Sequence, residues 1–462
     1  MAIVRSAINQ TALVNRLPPE VLTKVLEFRH SDKDLISATH ACRIWRYTLL
    51  STPLLWTEVK LGDPNRTSTY LERSKSAPLH VSVVDAADNS YEFIVDMSWF
   101  GRTASLHILA DHHQIESIGE ELCLPAPILQ SLVITGRAYP TNIRSSVRIP
   151  PSFLGQQAPF LRSLTFESVS PTPVTNLPLQ NITSFEWTDE TAVVTIEEVL
   201  TLLTSATLVE TLELFFLVQP TTEAVRGRSI TLPKLNNLWW TNYGGHFSLM
   251  SLLVAPELKD STIQLSSCPG GNLSAILPAH RDHFPLLAEP TALRYTCQNF
   301  DRVCDFTYAN GSLEVRQVHN TSTTGPPSDR WLSSNTSISF KKTKHLTVEG
   351  FGGYPLPGDI PIEQFESLES LELTGEVDCL LHIMRPNRIA TSEVLSVPFP
   401  SLLELRLTFC ESDFPLLAKV LKERKEAGHG VKTILITGVY HGWSSKETSE
   451  LARFVDSVTK ID

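Results

Sequence analysis

The sequence predicts an α/β protein in which a small helical module is followed by a long array of parallel strands and helices. Two observations lead to this prediction. The stretch from Asn15 to Phe28, NRLPPEVLTKVLEF, has the apolar spacing of a short helix with one apolar side. Further along, the phrase Leu-x-x-Leu-x-apolar recurs five times between positions 129 and 407, with helical patterns between several copies. Strands that alternate with helices are typical of parallel sheets.

Length, charge and apolar content exclude several classes of protein. The 462 residues suffice for about three average domains or one long repeat array. A net charge of −11 without any basic block disfavours nucleic-acid binding, since the phosphate backbone attracts lysine and arginine. No apolar run approaches the roughly 20 residues that cross a bilayer, and the start of the chain lacks the apolar centre of a secretory signal. We therefore expect a cytoplasmic or nuclear protein with reduced cysteines, and neither nucleic acid nor membrane as a partner.

The first helix has clear start signals. Pro18 and Pro19 fix φ near the helical value and lack amide donors that the first turn would leave unpaired. Glu20 lies where the helix dipole favours an anion. A second helical pattern runs from near Asp32 to Trp45. A unit of about 45 residues buries little surface on its own, so these helices form either a cap on the following structure or a docking module that another protein completes.

The residues of this segment resemble an F-box. The motif reads LPPEVL from Leu17 and DLI from Asp34. It continues as ACRIWR from Ala41 and PLLW from Pro53. The continuation YLERSKSAPLHVSV from Tyr70 is similar to fungal F-box proteins, so the resemblance covers roughly the first 85 residues. It implies a three-helix bundle that packs against the Skp-type adaptor of a cullin–RING ubiquitin ligase.

The resemblance also implies roles for individual residues. The side chains expected to contact the adaptor are Leu17, Pro18, Val21, Leu22 and Leu26. Those expected to hold the bundle together are Leu35, Cys42 and Trp45. Arg29 and His30 depart from the family, which usually carries an apolar residue at the end of the first helix. This departure bears on the affinity for the adaptor and not on the fold.

The recurring phrase indicates a repeat array. Each copy, together with its neighbouring helix, has an apolar flank that only the next copy can cover. The pattern is similar to a degenerate leucine-rich repeat, in which the spacing is uneven and the usual asparagine is mostly missing. We therefore expect an irregular leucine-rich-repeat-like solenoid, with parallel strands on one face and helices on the other.

Local signals mark two helices of the array. Thr195 and Glu198 form a capping-box pattern at the start of the helical run IEEVLTLL. Another helical pattern starts near Asp413 and is expected to stop at Gly428, because glycine readily adopts the left-handed conformation at a helix end. Both patterns place their leucines on one side, where the array would bury them.

These patterns divide the chain into four parts. The F-box spans residues 13–60, and residues 61–120 hold a linker and the first irregular repeats. The solenoid spans residues 121–440 and contains a polar insertion near 300–340, which we interpret as a long loop. Residues 441–462 are expected to form a helix that caps the last repeat, because the end of an array must be covered.

The middle residue of each strand phrase is expected to point away from the core. These positions are Val133, Thr165, Glu213, Trp239, Glu372 and Arg406. The candidate substrate surface consists of Glu213, Trp239, Glu372 and Arg406. Trp239 is its expected contact anchor, because tryptophan and arginine dominate binding hot spots. The alternative is that Trp239 packs beneath the adjacent loop NYGGHF.

No motif of bond-making chemistry is found in the sequence. It contains neither a Gly-x-Ser-x-Gly elbow nor a phosphate-binding or dinucleotide-binding glycine motif. His112 and His113, and likewise His280 and His283, lack the third and fourth ligands that a zinc site needs. The glycine-rich run GFGGYPLPG at 350–358 reads as a turn, with a binding loop as the alternative. We expect no catalytic residue, no metal and no cofactor.

Three functional hypotheses remain open. The resemblance leads to the substrate-recognition subunit of a Skp–cullin–F-box ubiquitin ligase, in which the F-box docks the adaptor, and through it the cullin, while the solenoid binds an unidentified protein substrate. A second hypothesis is an F-box scaffold that assembles proteins without ubiquitination. A third is an enzyme with an unrecognised site in the solenoid.

Overall fold

The computed structural model of the chain divides into two compact units, with the boundary in sequence between Ala192 and Val193. The residues that the structure describes are 12–28, 32–84, 97–111, 114–115, 117–118, 122–137, 147–148, 153–170, 177, 179–218, 229–242, 252–266, 289–298, 301–309, 311–318, 338–350, 360–375, 381–382, 384–388, 395–408, 414–438 and 445–461. Among the helices in these ranges, none is long and apolar enough to cross a bilayer.

The first unit places its helices mainly before its strands. The helices are α1 (Pro19–Glu27), α2 (Asp32–Thr39), α3 (Arg43–Ser51) and α4 (Pro64–Arg73). Short 3-10 helices lie at Leu13–Arg16, Pro53–Trp56, Met97–Arg102, Phe153–Gln156 and Leu179–Asn181. The strands are β1 (Glu58–Leu61), β2 (Leu79–Val84), β3 (Thr103–Asp111), β4 (Ser131–Arg137), β5 (Val147–Arg148), β6 (Ser163–Glu167), β7 (Val169–Ser170) and β8 (Ser184–Val194).

A parallel sheet with the order β1-β2-β3-β4-β6-β8 forms the body of the first unit. The short strands β5 and β7 make a separate parallel pair. Leu132, Leu164 and Phe185 lie side by side in register and are fully buried. Burial of a side chain of this size contributes about 1.5–3 kcal/mol. The second leucine of the recurring phrase therefore forms the core of this sheet.

Trp56 links the N-terminal helices to this sheet. Its indole is fully buried, and Nε1 donates a hydrogen bond to the carbonyl oxygen of Leu49 at 2.9 Å. The ring packs edge-on against Tyr70 of α4, with 5.1 Å between the ring centroids. The guanidinium carbon of Arg73 lies 4.4 Å from the centroid of the Trp56 ring. Because β1 begins two residues after Trp56, these contacts fix the preceding helices against α4 and the first strand.

The second unit is richer in strands. Its helices are α5 (Ile196–Ser205), α6 (Phe414–Glu426) and α7 (Ser445–Leu451), with a 3-10 helix at Ile362–Gln364. The strands are β9 (Thr211–Val218), β10 (Ile230–Thr231), β11 (Asn237–Asn242), β12 (Leu253–Val254), β13 (Asp260–Ser266), β14 (Ala292–Gln298), β15 (Asp301–Tyr308), β16 (Gly311–Val318), β17 (His345–Gly350), β18 (Ser370–Gly375), β19 (Asn387–Arg388), β20 (Leu395–Ser396), β21 (Glu404–Thr408), β22 (Thr433–Thr437) and β23 (Ser457–Ile461).

The sheet of the second unit has the order β9-β11-β13-β16-β15-β14-β17-β18-β21-β22-β23. Its neighbouring strands are parallel, except that β15 runs antiparallel to both β14 and β16. Small pairs form beside it, β10 with β12 and β19 with β20. These arrangements confirm the predicted α/β class with N-terminal helices and largely parallel strands.

A repeated backbone hydrogen bond ties the start of each strand to the one before it. The amide of Glu369 donates to the carbonyl oxygen of Lys344 at 2.9 Å, and the amide of Leu403 donates to that of Glu369 at 2.9 Å. The amides of Lys432 and Asp456 continue the series, each at 2.8 Å. Each donor directly follows the first leucine of the phrase Leu-x-x-Leu, or the valine that replaces this leucine in the last two copies. Successive copies therefore have equivalent geometry.

The structure corrects the first half of the predicted loop near 300–340, whereas residues 319–337 lie outside the described residues. Residues Asp301–Tyr308 and Gly311–Val318 form β15 and β16, a hairpin inside the sheet. Their buried side chains, such as Cys304 and Phe306, alternate with outward polar ones, so the segment has a polar composition although it is a strand. Gly311 is required at the turn, because a Cβ there would lie 1.9 Å from the carbonyl oxygen of Lys259.

The end of the chain also differs from the prediction for residues 441–462. The helix α7 ends at Leu451, and residues Ser457–Ile461 form β23, which pairs in parallel with β22. Leu451 and Val455 are buried, as a helical pattern predicts. The spacing cannot reveal the strand, because its partner β22 offers unpaired backbone groups only in the folded sheet.

Both predicted helix signals are confirmed. The Thr195 hydroxyl accepts a hydrogen bond from the amide of Glu198 at 3.3 Å. A Glu198 carboxylate oxygen accepts one from the amide of Thr195 at 2.9 Å, which completes the capping box. The helix α6 ends at Glu426, and Gly428 follows it with a φ of +82°. Glycine adopts this left-handed conformation at low cost.

A buried arginine holds the loops beside α6. Arg424 is fully buried, and its guanidinium donates to the carbonyl oxygens of Met384 at 3.2 Å, Pro398 at 2.6 Å and Phe399 at 2.8 Å. Burial lowers the pKa of the Arg424 guanidinium to about 10, so the group stays charged at neutral pH. On the preceding residue of the helix, Glu423 forms a two-point ion pair with Arg385.

We expect Arg424→Leu to lower the free energy of unfolding by about 3 kcal/mol or more, because several buried carbonyl oxygens would lose their donor. Arg424→Lys should be nearly as damaging, since a single ammonium cannot reproduce the planar fork. Thermal unfolding followed by circular dichroism measures the effect. The matched control is Lys422→Leu on the exposed side of the same helix, and equal unfolding midpoints for both leucine variants would contradict this role.

We expect Trp56→Ala to lower the free energy of unfolding of the first unit by about 3–5 kcal/mol, because it empties a buried site of aromatic size. Trp56→Phe should cost about 1 kcal/mol, the worth of the lost hydrogen bond to Leu49. The control is Trp239→Ala, which removes a half-exposed indole. Hydrogen exchange of the α1–α4 amides reads out the loss, and unchanged protection in Trp56→Ala would refute the linking role.

Candidate functional site

The candidate site is the surface of the N-terminal module, which we define as residues 13–61. Its inward side chains form a small core, with Leu22, Leu35 and Leu49 each at most 2% exposed. Trp56, described above, closes this core on the side of the sheet. The module therefore packs against its own unit.

The helix α1 separates two apolar sides. Leu22 and Leu26 are 2% and 8% exposed, and they face the core. Val21, Val25 and Phe28 are 43%, 54% and 80% exposed. At about 100° per residue, these last three positions lie within about 60° of one another around the helix axis. The helix thus presents one continuous apolar stripe to solvent.

Exposed apolar side chains are concentrated in this module. Among the described residues, ten of the sixteen large hydrophobic side chains that are exposed fall between Leu13 and Leu54. They are Leu13, Val14, Leu17, Val21, Val25, Phe28, Ile36, Ile44, Tyr47 and Leu54. Single exposed hydrophobic residues are ordinary, whereas a concentration in a tenth of the chain marks an interaction surface.

The structure divides the five residues that were expected to contact the adaptor. Leu17, Pro18 and Val21 are exposed. Leu22 and Leu26 lie in the core of the module, and this corrects the expectation for both. The i, i+1, i+4, i+5 spacing of α1 contains two apolar stripes, of which one (Leu22 and Leu26) is buried and the other (Val21 and Val25) is exposed. A single sequence does not show which of the two stripes the neighbouring helices cover.

The residues expected to hold the bundle together are Leu35, Cys42 and Trp45. Leu35 is fully buried, whereas Cys42 and Trp45 are half-buried. Trp45 Nε1 donates to Asn15 Oδ1 at 2.7 Å, and Cys42 Sγ lies 3.6 Å from the same oxygen. Asn15 therefore ties the 3-10 turn at Leu13–Arg16 to α3. No sequence pattern singles out Asn15, although a half-buried indole N–H usually needs an acceptor.

The charge of the module differs from that of the whole chain. Residues 14–61 carry seven lysines and arginines against five aspartates and glutamates, whereas the chain as a whole has a net charge of −11. On α1, Lys24 and Glu27 form an exposed ion pair at 2.8 Å. A weakly basic module with an exposed apolar surface favours a partner that is apolar and not basic.

The four candidate substrate residues of the second unit form two pairs. Glu213 of β9 lies opposite Trp239 of β11, and Glu372 of β18 lies opposite Arg406 of β21. The strand order separates Trp239 from Glu372 by six strands, which is about 29 Å at about 4.8 Å per strand. They are therefore not one cluster.

The two pairs differ in their exposure and partners. Trp239 is 49% exposed and Glu213 is half-buried. Arg406 forms an ion pair with Glu404 on its own strand, and the Glu372 carboxylate accepts a hydrogen bond from Thr408 at 3.2 Å. The Glu372–Arg406 pair is thus engaged within its own sheet. The alternative prediction is that Trp239 packs beneath the loop NYGGHF. Residues 243–247 of that loop lie outside the described residues.

The outward positions of the first unit hold a pair of carboxylates. Val133 and Thr165 are half-buried, and the Thr165 hydroxyl donates to Glu186 at 3.3 Å. Burial, and then the charge of Glu167, raises the pKa of the Glu186 carboxyl. In the part of the chain that the structure describes, these two carboxylates do not belong to a group of three or more side chains that could hold a metal ion.

Several sequence positions with chemical interest lie outside the described residues. They are the histidine pairs at 112–113 and at 280 and 283, and the glycine-rich run at 351–358. Within the described residues, no group of three or more His, Cys, Asp or Glu side chains could hold a metal ion. Cys304 is a buried thiol in β15.

Comparison with known proteins agrees with the position of the module. A family model described as F-box-like matches residues 14–61. No curated protein matches the chain. The matched range contains α1 to α3 and β1, and therefore also the exposed apolar stripe of α1. The chain carries an F-box-like domain at residues 14–61, which supports its assignment as an F-box protein.

Proposed function

We propose that this chain is the substrate-recognition subunit of a Skp–cullin–F-box ubiquitin ligase. In this role the F-box-like module binds a Skp-type adaptor, which connects it to a cullin, and the sheets of the chain bind an unidentified target protein. The observation that supports the proposal is the concentration of exposed apolar side chains in the matched module. A folded module that keeps so much apolar surface in water is suited to binding another protein.

The adaptor contact proposed here differs from the set that the resemblance implies. It keeps Leu17, Pro18 and Val21, which are exposed. It adds Val25 and Phe28, which lie on the same side of α1 as Val21 and are more exposed. Complete burial of such a side chain contributes about 1.5–3 kcal/mol, and a side chain that is half exposed, such as Val25, would contribute about half of that on binding.

The target-binding part is assigned to the sheets after the module. The repeated strand-entry hydrogen bonds support an irregular solenoid of leucine-rich-repeat type, because each copy meets the next in the same way. The inward leucines hold the strands together, so the outward side chains can differ without loss of the fold. Such a polar strand face is suited to recognising one particular protein surface.

The proposed mechanism is one of proximity and not of bond chemistry. A receptor that binds both a target and the ligase raises the local concentration of the target near the ubiquitin carrier. Rigid spacing strengthens this effect. The contacts of Trp56 with Tyr70 and Arg73 supply such rigidity within the first unit, since they fix the module against the sheet that follows it.

A scaffold without ubiquitination is the second hypothesis for the same contacts. It would use the module and the sheets in the same way but would not shorten the lifetime of its partner. The two hypotheses therefore differ in target turnover and not in structure. An enzyme with an unrecognised site would need neither contact.

We expect Val21→Asp together with Val25→Asp to lower the affinity for a purified Skp-type adaptor at least about 100-fold. The two changes remove about 1.5 kcal/mol or more of apolar contact, and the charges that they place in the interface add several kcal/mol of desolvation cost. Both side chains are exposed in the folded chain, so the unfolding midpoint should change little. Isothermal titration with the full chain measures the affinity.

The matched control for this pair is Leu208→Asp together with Leu403→Asp. These leucines are 44% and 41% exposed and lie in the second unit. They should leave adaptor binding unchanged. Unchanged affinity in the Val21 and Val25 variant, or an equal loss in the control, would overturn the docking assignment. Leu22→Asp is unsuitable as a test, because it would disrupt the core of the module.

We expect the Val21 and Val25 variant to lengthen the half-lives of proteins that co-purify with the chain from cells. Uncoupling from the adaptor would leave the target bound but not ubiquitinated. Point variants are preferable to deletion of residues 14–61, because deletion would also remove Trp56 and β1. Protein half-lives after arrest of translation give the readout, and unchanged half-lives with intact adaptor binding in the wild type would favour the scaffold.

A further inference from the structure

Trp239 is the exposed tryptophan of the described sheets. Of the six tryptophans in the described ranges, five are buried or half-buried, whereas Trp239 is 49% exposed. The neighbouring Trp240 points inward and is fully buried. An indole side chain that a strand turns outward offers a large, rigid surface for a ligand.

Carboxylates lie on both sides of this indole. Glu213 of β9 is directly opposite Trp239, on the strand next to β11. In the other direction the row continues through Thr262 of β13 to Glu314 of β16 and Asp305 of β15. At about 4.8 Å per strand, Glu213 and Glu314 fall within about 10 Å of Trp239 and Asp305 within about 15 Å.

The nearest described basic side chain of this row is Arg294 of β14, opposite Asp305 and about 19 Å from Trp239. Arg294 forms an ion pair with Glu349 at 3.7 Å. The side chain of Arg316 lies outside the described residues. The surroundings of Trp239 on this row are therefore acidic.

A second aromatic side chain borders the same place. Phe215 lies two residues beyond Glu213, so it points to the same side of β9 and is diagonal to Trp239. Phe215 is half-buried. We call Glu213, Phe215, Trp239 and Glu314 together the Trp239 face.

We propose that the Trp239 face binds a segment of the target protein that carries arginine or lysine. The cation stacks on the Trp239 indole, and the adjacent Glu213 carboxylate accepts its N–H groups. Both contacts are within the reach of one guanidinium, because a cation binds an aromatic face within about 6 Å and neighbouring strands are about 4.8 Å apart. The proposal rests on the proposed function, which assigns target binding to this sheet.

Charge complementarity selects this occupant over others. The carboxylates of the Trp239 face repel phosphates and acidic peptides. A purely apolar segment would match only the two aromatic side chains of the Trp239 face and would bring apolar groups against its two carboxylates. The whole chain supports the same choice, because its acidic excess lies outside residues 14–61. Such an excess speeds the association of a basic partner at low salt.

The test measures fluorescence anisotropy of a dye-labelled peptide of three Gly-Ser-Arg repeats with the full chain at about 0.1 M salt, where the screening length is about 10 Å. The same peptide with glutamine in place of arginine should bind at least about ten-fold more weakly. Trp239→Ala and Glu213→Gln should each lower the affinity for the arginine peptide about ten-fold. Added salt should weaken the binding further.

The matched control is Glu372→Gln, which removes the same charge six strands away from Trp239. It should change the affinity less than about two-fold, because the separation exceeds the screening length. The proposal is overturned if the arginine peptide does not bind, if Trp239→Ala binds it as well as the wild type, or if Glu372→Gln reduces binding as much as Glu213→Gln does.

The same variants separate failure of this inference from failure of the proposed function. The peptide assay contains no adaptor, and the Val21 and Val25 variant should bind the arginine peptide like the wild type. Peptide binding without any adaptor binding would sink the ligase assignment and keep the Trp239 site. Adaptor binding together with unchanged peptide binding in Trp239→Ala would overturn the Trp239 site and keep the ligase assignment.

Discussion

The inward row of apolar side chains across each sheet is the interaction on which the rest of the structure depends. In the first unit this row passes through Leu132, Leu164 and Phe185, and in the second through residues such as Leu371 and Leu405. Parallel strands far apart in sequence become neighbours only because these side chains exclude water together. Because the inward row provides most of the stability of the sheets, the outward side chains can vary without loss of the fold and are available for recognition.

The N-terminal module follows the same logic on a smaller scale. Leu22 and Leu26 stabilise the module by facing its core, while Val21, Val25 and Phe28 on the adjacent side of the same helix stay in water. A helix with two apolar sides can fold against its own chain and still bind a partner. Trp56 fixes this helix relative to the first strands, because its ring packs against Tyr70 of α4.

Much of the fold could be predicted from the sequence, and the site only in part. The phrase Leu-x-x-Leu-x-apolar located strands, and local rules located the capping box at Thr195 and the helix stop at Gly428. The hairpin of β15 and β16 was missed because its outward polar residues hide the alternation of buried ones. The strand β23 was missed because its stability comes from pairing with β22.

By itself the sequence determined those features that depend on near neighbours: helix caps, apolar periodicity and an F-box motif spread over a short segment. The tertiary structure alone decided which of two adjacent apolar stripes on α1 is covered, and that Glu213 stands beside Trp239 while Glu372 stands far away. The physical reason is that burial and register depend on contacts between segments distant in the chain, and these contacts leave no periodic signal in a single sequence.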